Sequence, residues 1–217
     1  LSAAGSKSAA RSVMLGSMIR ALILTVLLTA ASPALAGDAT KAGAPPAPQY
    51  GPYYSGQLLV AGPTMPDPRF QGAVIYLADH DAEGAFGLVV NRPVGGGPVR
   101  DFLLGLGMQP DPAENITGDV RIHAGGPVEP GAGFVLHTND YQTETTGMLR
   151  GKVAVTASLK AVKDIGLGKG PRRYLILLGY AGWTSGQLEA EMRRGDWMIA
   201  PYDEGTVFGA DDAGKWD

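Results

Sequence analysis

The chain has no cysteine among its 217 residues. Disulfide bonds, thiolate zinc sites, cysteine nucleophiles and a lipid anchor on cysteine are therefore excluded. Histidine is scarce as well, since only three are present, and no two of them have the short spacing that is typical of a metal site. Glycine is abundant, at 32 residues, which indicates many turns and close approaches of the backbone.

The first 36 residues have the pattern of a secretory signal peptide. Arg20 precedes an apolar run, Ala21–Leu28, and the sequence Ala34-Leu35-Ala36 is typical of a cleavage site. We therefore expect cleavage after Ala36 and a periplasmic or other extracytoplasmic protein, which would meet a membrane only through this segment.

Two alternatives to cleavage remain open for the same segment. It could stay attached as an uncleaved anchor, although a spanning helix needs about 20 apolar residues and Pro33 interrupts this run. Translation could instead start at Met14 or Met18, which would leave a cytoplasmic protein.

The remainder of the chain is acidic. Removing residues 1–36 takes away three of the 18 basic residues and none of the 21 acidic ones, which leaves a net charge of −6. An acidic domain binds phosphate backbones poorly, so the charge argues against nucleic acid as a partner.

Composition divides the rest into a linker and a domain. Residues 37–54 are rich in Pro, Ala and Gly and read as a semi-extended linker before a domain at residues 55–217. The domain has many short apolar runs between Gly and Pro turns, which predict strands. Helices are predicted at Asp101–Leu106, Ser158–Leu167 and Ser185–Arg194. This pattern favours the α+β class over a doubly wound sheet.

The most informative segment is Gly179 to Glu191. The apolar run Tyr174–Leu178 predicts a buried strand, and Gly179 with Gly182 predicts a tight turn after it. Thr184 and Gln187 have the spacing of a capping box, with Ser185 between them, so a helix is expected to follow. Strand, turn and capped helix together form a place where backbone N–H groups can bind an anion.

Two further loops are candidate parts of the same site. In Asn91-Arg92-Pro93, the planar guanidinium of Arg92 suits a carboxylate or a phosphate. The alternative is that Asn91 closes a turn and Arg92 pairs with an acid at the edge of the core. Gly125-Gly126-Pro127 forms the second loop, and we expect both loops to converge with Gly182, Thr184, Ser185 and Gln187 on one cleft.

Other polar and aromatic residues are expected to have structural roles. Asp67 is expected to accept N–H groups of its own loop, as aspartate does in turns. His80, His123 and His137 are expected to be satisfied by protein groups rather than to act as bases or metal ligands. Trp183 and Trp197 are expected to be packing anchors, and Glu189 and Glu191 are weak indications of catalysis.

Five collinear blocks resemble the YqgE/AlgH family. They are Gly56–Ala61 followed by Pro63, Met65, Asp67-Pro68 and Phe70; Gly84–Pro93; Gly125–Val128 with Gly133–His137; Gly179–Glu191; and Trp197 with Pro201. The sequence departs from the family pattern in its N-terminal extension and in its short segment after Phe208. The resemblance implies a branched, mainly antiparallel sheet that forms a pseudo-barrel with two or three helices packed outside. Members are described as candidate transcriptional regulators, and their biochemistry is poorly defined.

These observations lead to one leading hypothesis and two rivals. The leading hypothesis is a non-enzymatic binding or regulatory protein, without cofactor or metal, that binds a small anionic ligand or a segment of a protein partner. The first rival is a hydrolase-like enzyme of unknown reaction that uses Arg92 and a helix N-terminus to hold an anion. The second rival is a transcriptional regulator that binds DNA.

Overall fold

The computed structural model describes residues 53–148 and 152–217. Within them, ten strands form a curled, mostly antiparallel sheet, and four short helices pack against it. The predicted α+β class and branched pseudo-barrel are confirmed, with one helix more than the two or three expected. The signal peptide predicted at residues 1–36, and the linker predicted at 37–54 apart from its last two residues, lie outside the described part of the chain.

The ten strands are mostly short. They are β1 (Leu58–Ala61), β2 (Val74–Asp81), β3 (Gly84–Val89), β4 (Pro93–Pro98), β5 (Asp119–Ala124), β6 (Val128–Thr138), β7 (Thr146–Met148), β8 (Val153–Thr156), β9 (Tyr174–Thr184) and β10 (Trp197–Ala200).

The four helices are α1 (Val99–Gly105), α2 (Leu159–Gly166), α3 (Gln187–Arg194) and α4 (Glu204–Phe208). The side chain of Ser158 accepts a hydrogen bond from the amide of Lys160, so Ser158 is the N-cap of α2. None of the helices in these residues is both long enough and apolar enough to cross a bilayer.

Strand β9 is the branch point of the sheet. The strand order is β10-β1-β2-β3-β9-β6-β8-β7, and β5 joins the sheet by pairing in parallel with β9 and antiparallel with β4. The first part of β9 pairs with β5 and β6, and its last part, Ala181–Thr184, pairs with β3. Gly179, at φ +73°, lies where the pairing with β6 shifts register, between Leu178 and Tyr180, directly before the part that pairs with β3.

The sheet buries apolar side chains on both faces, as the alternation along β2 illustrates. Tyr76 belongs to a cluster with Phe86, Leu88, Phe134 and Leu177 on one face, while its neighbours Ile75 and Leu77 pack on the other face. Helix α3 covers that second face through Leu188, and a third cluster lies under α1 and α2. Each large apolar side chain buried in this way contributes about 1.5–3 kcal/mol.

Three elements were not expected from the sequence. Strand β4, with the sequence Pro-Val-Gly-Gly-Gly-Pro, has low strand propensity and owes its form to pairing with β5. Strand β7 and helix α4 are the other two. Strand β2 runs to Asp81, so only Ala82 and Glu83 separate it from β3.

Candidate functional site

A cleft of about 190 Å³ lies where stretches of chain far apart in the sequence come together. The loop between β1 and β2, the start of β6, the end of β9, helix α3 and the start of β10 all contribute to it. Its lining residues are Met65, Pro66, Asp67, Arg69, Phe70, Pro127, Val128, Gly182, Trp183, Gln187, Glu191, Arg194, Asp196 and Trp197.

Three aromatic rings form the apolar part of the cleft. The ring centroids of Phe70 and Trp197 are 5.4 Å apart, and those of Trp183 and Trp197 are 5.9 Å apart in an edge-on arrangement. Both tryptophans are only 3% exposed. The expectation that Trp183 and Trp197 are packing anchors is confirmed, because the two indoles are buried against each other and against Phe70.

Glu191 fixes these rings from helix α3. Its Oε2 accepts hydrogen bonds from the indole N–H of Trp183, at 2.8 Å, and from that of Trp197, at 2.9 Å. Its Oε1 accepts a third hydrogen bond from the side-chain amide of Gln187, at 3.0 Å. The carboxylate therefore holds the wall of the cleft together, which is a structural role.

Two ion pairs lie at the mouth of the cleft, and we call them the rim pairs. Arg69 binds Asp67 with a guanidinium-to-carboxylate distance of 2.7 Å, and Arg194 binds Asp196 at the same distance. The hydrogen bonds from Arg69 hold the pKa of Asp67 below its usual value. One of these bonds comes from the backbone amide of Arg69, as expected for an aspartate that organises its own loop.

A second, larger hollow of about 610 Å³ lies elsewhere on the surface. It is lined by Gln142–Thr145 together with Ser158 and Lys160, most of which are exposed. One loop and the first turn of α2 supply the whole of it, without an apolar wall. The smaller cleft combines buried aromatic rings with charged groups, so it is the candidate functional site.

Asn91 and Arg92 do not line the cleft, but bind the backbone of the loop that forms one of its walls. The side chain of Asn91 accepts a hydrogen bond from the amide of Val74 and donates one to the carbonyl of Gly72. The guanidinium of Arg92 donates to the carbonyls of Arg69 and Gln71. Both side chains thus fix the end of the loop that carries Arg69, while Pro93 is exposed and begins β4.

Gly125 and Gly126 lie where the chain crosses β9 at close range. A Cβ atom on Gly125 would stand 2.4 Å from the carbonyl oxygen of Gly179, and one on Gly126 would stand 2.1 Å from the carbonyl carbon of Tyr180. These glycines are required for packing, because no side chain fits between the two backbones.

The prediction of a tight turn at Gly179–Gly182 is wrong, because β9 continues through these residues to Thr184. The pairing of Gly182 with Phe86 keeps this glycine in the strand. Half of the expected capping box is present, since the Gln187 side chain accepts a hydrogen bond from the amide of Thr184 at 3.1 Å. The N-cap of α3 is Gly186, in a left-handed conformation, and Ser185 donates to the carbonyl of Ala82.

The structure brings part of the expected site together. Gly182 and Gln187 line the cleft, Asn91 and Arg92 hold its loop, and Gly125 and Gly126 pack at the crossing with β9. Pro93, Thr184 and Ser185 are not among the lining residues. That any of these residues binds a ligand stays a prediction.

The three histidines are buried and each contacts a protein group. His80 accepts a hydrogen bond from the amide of Tyr54 and contacts Glu189 at 3.1 Å. His137 lies between the carbonyl of Thr138 and the hydroxyl of Thr156, at 2.7 and 2.9 Å. Burial lowers the pKa of His137. Across the described ranges, no group of three or more histidine or acidic side chains is arranged to hold a metal ion.

His123 belongs to an ionic cluster that sequence reasoning missed. It contacts the carboxylate of Asp212 at 3.2 Å, and Lys215 binds the same carboxylate at 2.8 Å. Burial lowers the pKa of His123 in spite of that carboxylate. Burial also opposes the charge of Asp212, but the hydrogen bond from Lys215 holds the pKa of Asp212 below its usual value. No local signal predicts this cluster, because His123 is 89 residues away from Asp212 in the sequence.

Comparison with known proteins gives relatives that all belong to one family. A family model described as AlgH-like matches residues 58–217. A UPF0301 protein of Rhodospirillum rubrum is 48% identical over 156 residues, which are 72% of this chain and 80% of that protein. A UPF0301 protein of Methylococcus capsulatus is 41% identical over 163 residues, which are 75% of this chain and 87% of that protein.

Solved structures give the same result for the fold. The solution structure of the AlgH protein from Pseudomonas aeruginosa matches with a TM-score of 0.60 and 37% identity, over 74% of this chain and 84% of that one. The crystal structure of a protein from Corynebacterium diphtheriae matches with a TM-score of 0.57 over 74% of this chain and 82% of that one. At 19% identity, this second match supports the fold alone.

Proposed function

The chain belongs to the AlgH-like family, and on that premise we propose that it is a non-enzymatic binding or regulatory protein. In this proposal the cleft binds a small anionic ligand or an anionic segment of a protein partner. A volume of about 190 Å³ is below that of sites for drug-sized molecules, so the bound group is small, such as a phosphate, a carboxylate or one side chain.

The unequal exposure of the rim pairs carries this proposal. The side chain of Arg69 is 65% exposed, whereas that of its partner Asp67 is 30% exposed. Arg194 is 59% exposed and Asp196 is 11% exposed. The cations therefore face outward while the carboxylates are turned toward the protein, and a guanidinium can bind an oxyanion with two parallel hydrogen bonds.

The remaining acid of the cleft does not oppose an anion strongly. Both oxygens of Glu191 already accept hydrogen bonds from Trp183, Trp197 and Gln187. These hydrogen bonds hold the carboxylate against the wall of the cleft, so a ligand at the mouth would meet the two exposed guanidinium groups first.

Calorimetric titration with inorganic phosphate and with a short acidic peptide tests the proposal. We expect the double substitution Arg69→Gln and Arg194→Gln to weaken binding at least about tenfold, because hydrogen bonds between charged groups are the strong ones. Preference for phosphate would indicate a small ligand, and preference for the peptide would indicate a partner segment.

Arg172→Gln is the matched control, because Arg172 is also an exposed arginine, 67% exposed and paired with Glu204, yet it does not line the cleft. Equal loss of binding in this variant would point to general charge attraction. Undiminished binding in the double variant would contradict the proposal.

The hydrolase rival receives less support from the position of Arg92. Its guanidinium is engaged by the carbonyls of Arg69 and Gln71 and does not line the cleft. Unchanged turnover of a panel of esters, phosphates and glycosides after Arg92→Ala, compared with the unmodified chain, would retire this rival.

We also propose that the protein is exported and acts outside the cytoplasm. The pattern of charge, apolar run and small residues in residues 1–36 supports export, and the net charge of −6 of the remaining chain argues against direct binding to DNA. Cell fractionation with mass spectrometry of the mature N-terminus tests this. A periplasmic product that starts at Gly37 is expected, whereas a cytosolic product would contradict export.

A further inference from the structure

The segment after α4, residues 209–217, which we call the strap, lies against the sheet without regular secondary structure. The amide of Gly214 donates a hydrogen bond to the side chain of Asp211, and this turn brings Asp212 and Lys215 side by side. The side chain of Asp212 is 9% exposed and that of Lys215 is 3% exposed. Charged side chains are rarely buried to this extent unless they are paired.

Lys215 is bound on all three of its N–H groups. It donates to the carboxylate of Asp212 and to the carbonyl of Val90, both at 2.8 Å, and to the carbonyl of Val207 at 3.2 Å. An ammonium group has three donors, so its burial is fully compensated here. The strap is thereby tied to the end of β3.

Strand β5 holds the other side of the Asp212 carboxylate. His123 contacts it at 3.2 Å, and Arg121 contacts it at 3.4 Å and also donates to the carbonyl of Ala210. Because the carboxylate is ionised and can only accept, the Nε2 of His123 must carry the hydrogen. The Nδ1 of His123 is buried without a partner within the described residues.

Trp216 forms a second attachment at the far end of the strap. Its indole N–H donates to the carbonyl of Ala61 at 2.9 Å. Ala61 is the last residue of β1, directly before the loop that carries Met65, Asp67, Arg69 and Phe70 into the cleft. The strap therefore contacts the chain at the point where that loop begins.

The attachment of Lys215 lies beside the point where the same loop ends. Val90 precedes Asn91 and Arg92, whose side chains bind the carbonyls of Arg69, Gln71 and Gly72. The loop, residues 62–72, is thus held at its start through Ala61 and at its end through residues 90–92. The strap binds at both places.

We propose that the strap sets the conformation of loop 62–72 and, through it, the affinity of the cleft. The first half of this inference stands on the contacts alone, and the second half rests on the proposed function. With the strap in place, Arg69 and Phe70 keep their positions in the cleft. When the strap detaches, the carbonyls of Ala61 and Val90 lose their partners in the strap, so the loop is held less firmly at both ends and the wall that it gives the cleft is weakened.

Hydrogen exchange of individual amides, followed by NMR on the full chain, tests the first half. The amides of Met65, Phe70 and Ala73 report on the loop, because each donates to a backbone carbonyl of the loop. We expect Lys215→Met to speed their exchange at least about tenfold, because it removes hydrogen bonds made by a charged group. The exchange rates of the amides in α2 should not change.

A milder variant and a control keep the test decisive. Trp216→Phe keeps a ring and removes only the N–H donor, so it should speed exchange at Met65 even if Lys215→Met does not fold. Lys160→Met is the control, because Lys160 is an exposed lysine that pairs with Asp164 on α2. Unchanged loop exchange in Trp216→Phe, or equal acceleration in the loop and in α2, would overturn the inference.

Phosphate titration of the same variants separates the strap from the proposed function. Faster loop exchange together with at least about tenfold weaker phosphate binding would support both, since the affinity follows the fraction of molecules with an intact site. Faster loop exchange with no phosphate binding in any form of the chain would support the strap and contradict the proposed function. Faster exchange with undiminished binding would overturn the link between strap and cleft.

Discussion

The rim pairs and the cluster under the strap both join an aspartate to basic side chains, but in opposite settings. At the rim, Arg69 and Arg194 are more than half exposed, so both guanidinium groups reach water, although the carboxylate of Asp196 is only 11% exposed. Under the strap, Asp212, Lys215 and His123 are almost completely buried. Exposed pairs contribute little to stability and leave their charges available to a ligand, whereas a buried cluster is costly to break. Burial thus separates a binding role from a structural one.

The largest effect is expected from breaking the buried cluster. Asp212→Ala leaves Lys215 and His123 without their shared partner, and we expect the free energy of unfolding to fall by about 3–5 kcal/mol. Urea unfolding monitored by circular dichroism measures this. Asp67→Ala at the rim is the matched substitution, and its expected cost is about 0–1 kcal/mol. Similar costs for the two variants would remove the contrast between the clusters.

A somewhat smaller effect is expected at the glycine crossing. In Gly126→Ala, the new Cβ would stand 2.1 Å from the carbonyl carbon of Tyr180 at a φ of +156°. We expect a loss of stability of roughly 1–3 kcal/mol from backbone strain, with the displacement of β9 adding to it. Gly131→Ala is the control, since a Cβ there meets no atom within 4 Å. Equal thermal stability of the two variants would contradict the packing role of Gly126.

Acid should weaken the buried cluster before it affects the rim. Burial lowers the pKa of His123 below its ordinary value of 6.5, so the folded chain disfavours the protonated ring. The stability that depends on neutral His123 is therefore complete above pH 6.5 and is lost as the pH falls toward the lowered pKa. Protonation would also bury a second N–H, at Nδ1, that has no acceptor in the described residues.

Urea unfolding at a series of pH values below and above 6.5 measures this dependence. In His123→Gln the amide can still donate to Asp212 but does not titrate, so the decline in stability should be shallower. Burial also lowers the pKa of His137, and this residue contributes equally to the pH dependence of stability in the unmodified chain and in His123→Gln. An unchanged slope in His123→Gln would show that the ring of His123 is not the titrating group.

The smallest effect on stability is expected at the rim itself. Arg69→Gln should change the free energy of unfolding by about 0–1 kcal/mol, because the pair of Arg69 with Asp67 is solvent-exposed. Arg194→Gln should cost more, because it leaves the carboxylate of Asp196, which is only 11% exposed, without its partner. Their effect on anion binding should be much larger. Urea unfolding and calorimetry on the same samples compare the two quantities, and a large loss of stability would place these arginines with the structural cluster instead.

Local patterns in the sequence predicted the elements whose causes are local. The helix predicted at Ser158–Leu167, which is α2, and the loop bonds of Asp67 were both found in this way. Strand β9 was cut short in prediction because Gly179 and Gly182 resemble a turn. In the structure, Gly179 takes its positive φ inside a strand that changes partners, which is a property of the whole sheet.

The candidate site was only partly predictable for the same reason. The sequence indicated Gly182 and Gln187, which line the cleft, and it gave no sign that Arg69 and Arg194 would join them. The cluster of His123, Asp212 and Lys215 depends on a strap without regular structure, so neither periodicity nor spacing marks it. Contacts between residues far apart in sequence follow from the sheet topology.

Chemical-shift mapping with inorganic phosphate tests the binding role of the cleft most directly. Amide resonances of the ¹⁵N-labelled chain would be followed during the titration, in the unmodified chain and in the double variant Arg69→Gln and Arg194→Gln. We predict saturable shifts at Asp67–Phe70, Gln187 and Arg194–Asp196, and their loss in the double variant. Shifts that centre on the hollow at Gln142–Thr145, or that persist unchanged in the double variant, would contradict the account.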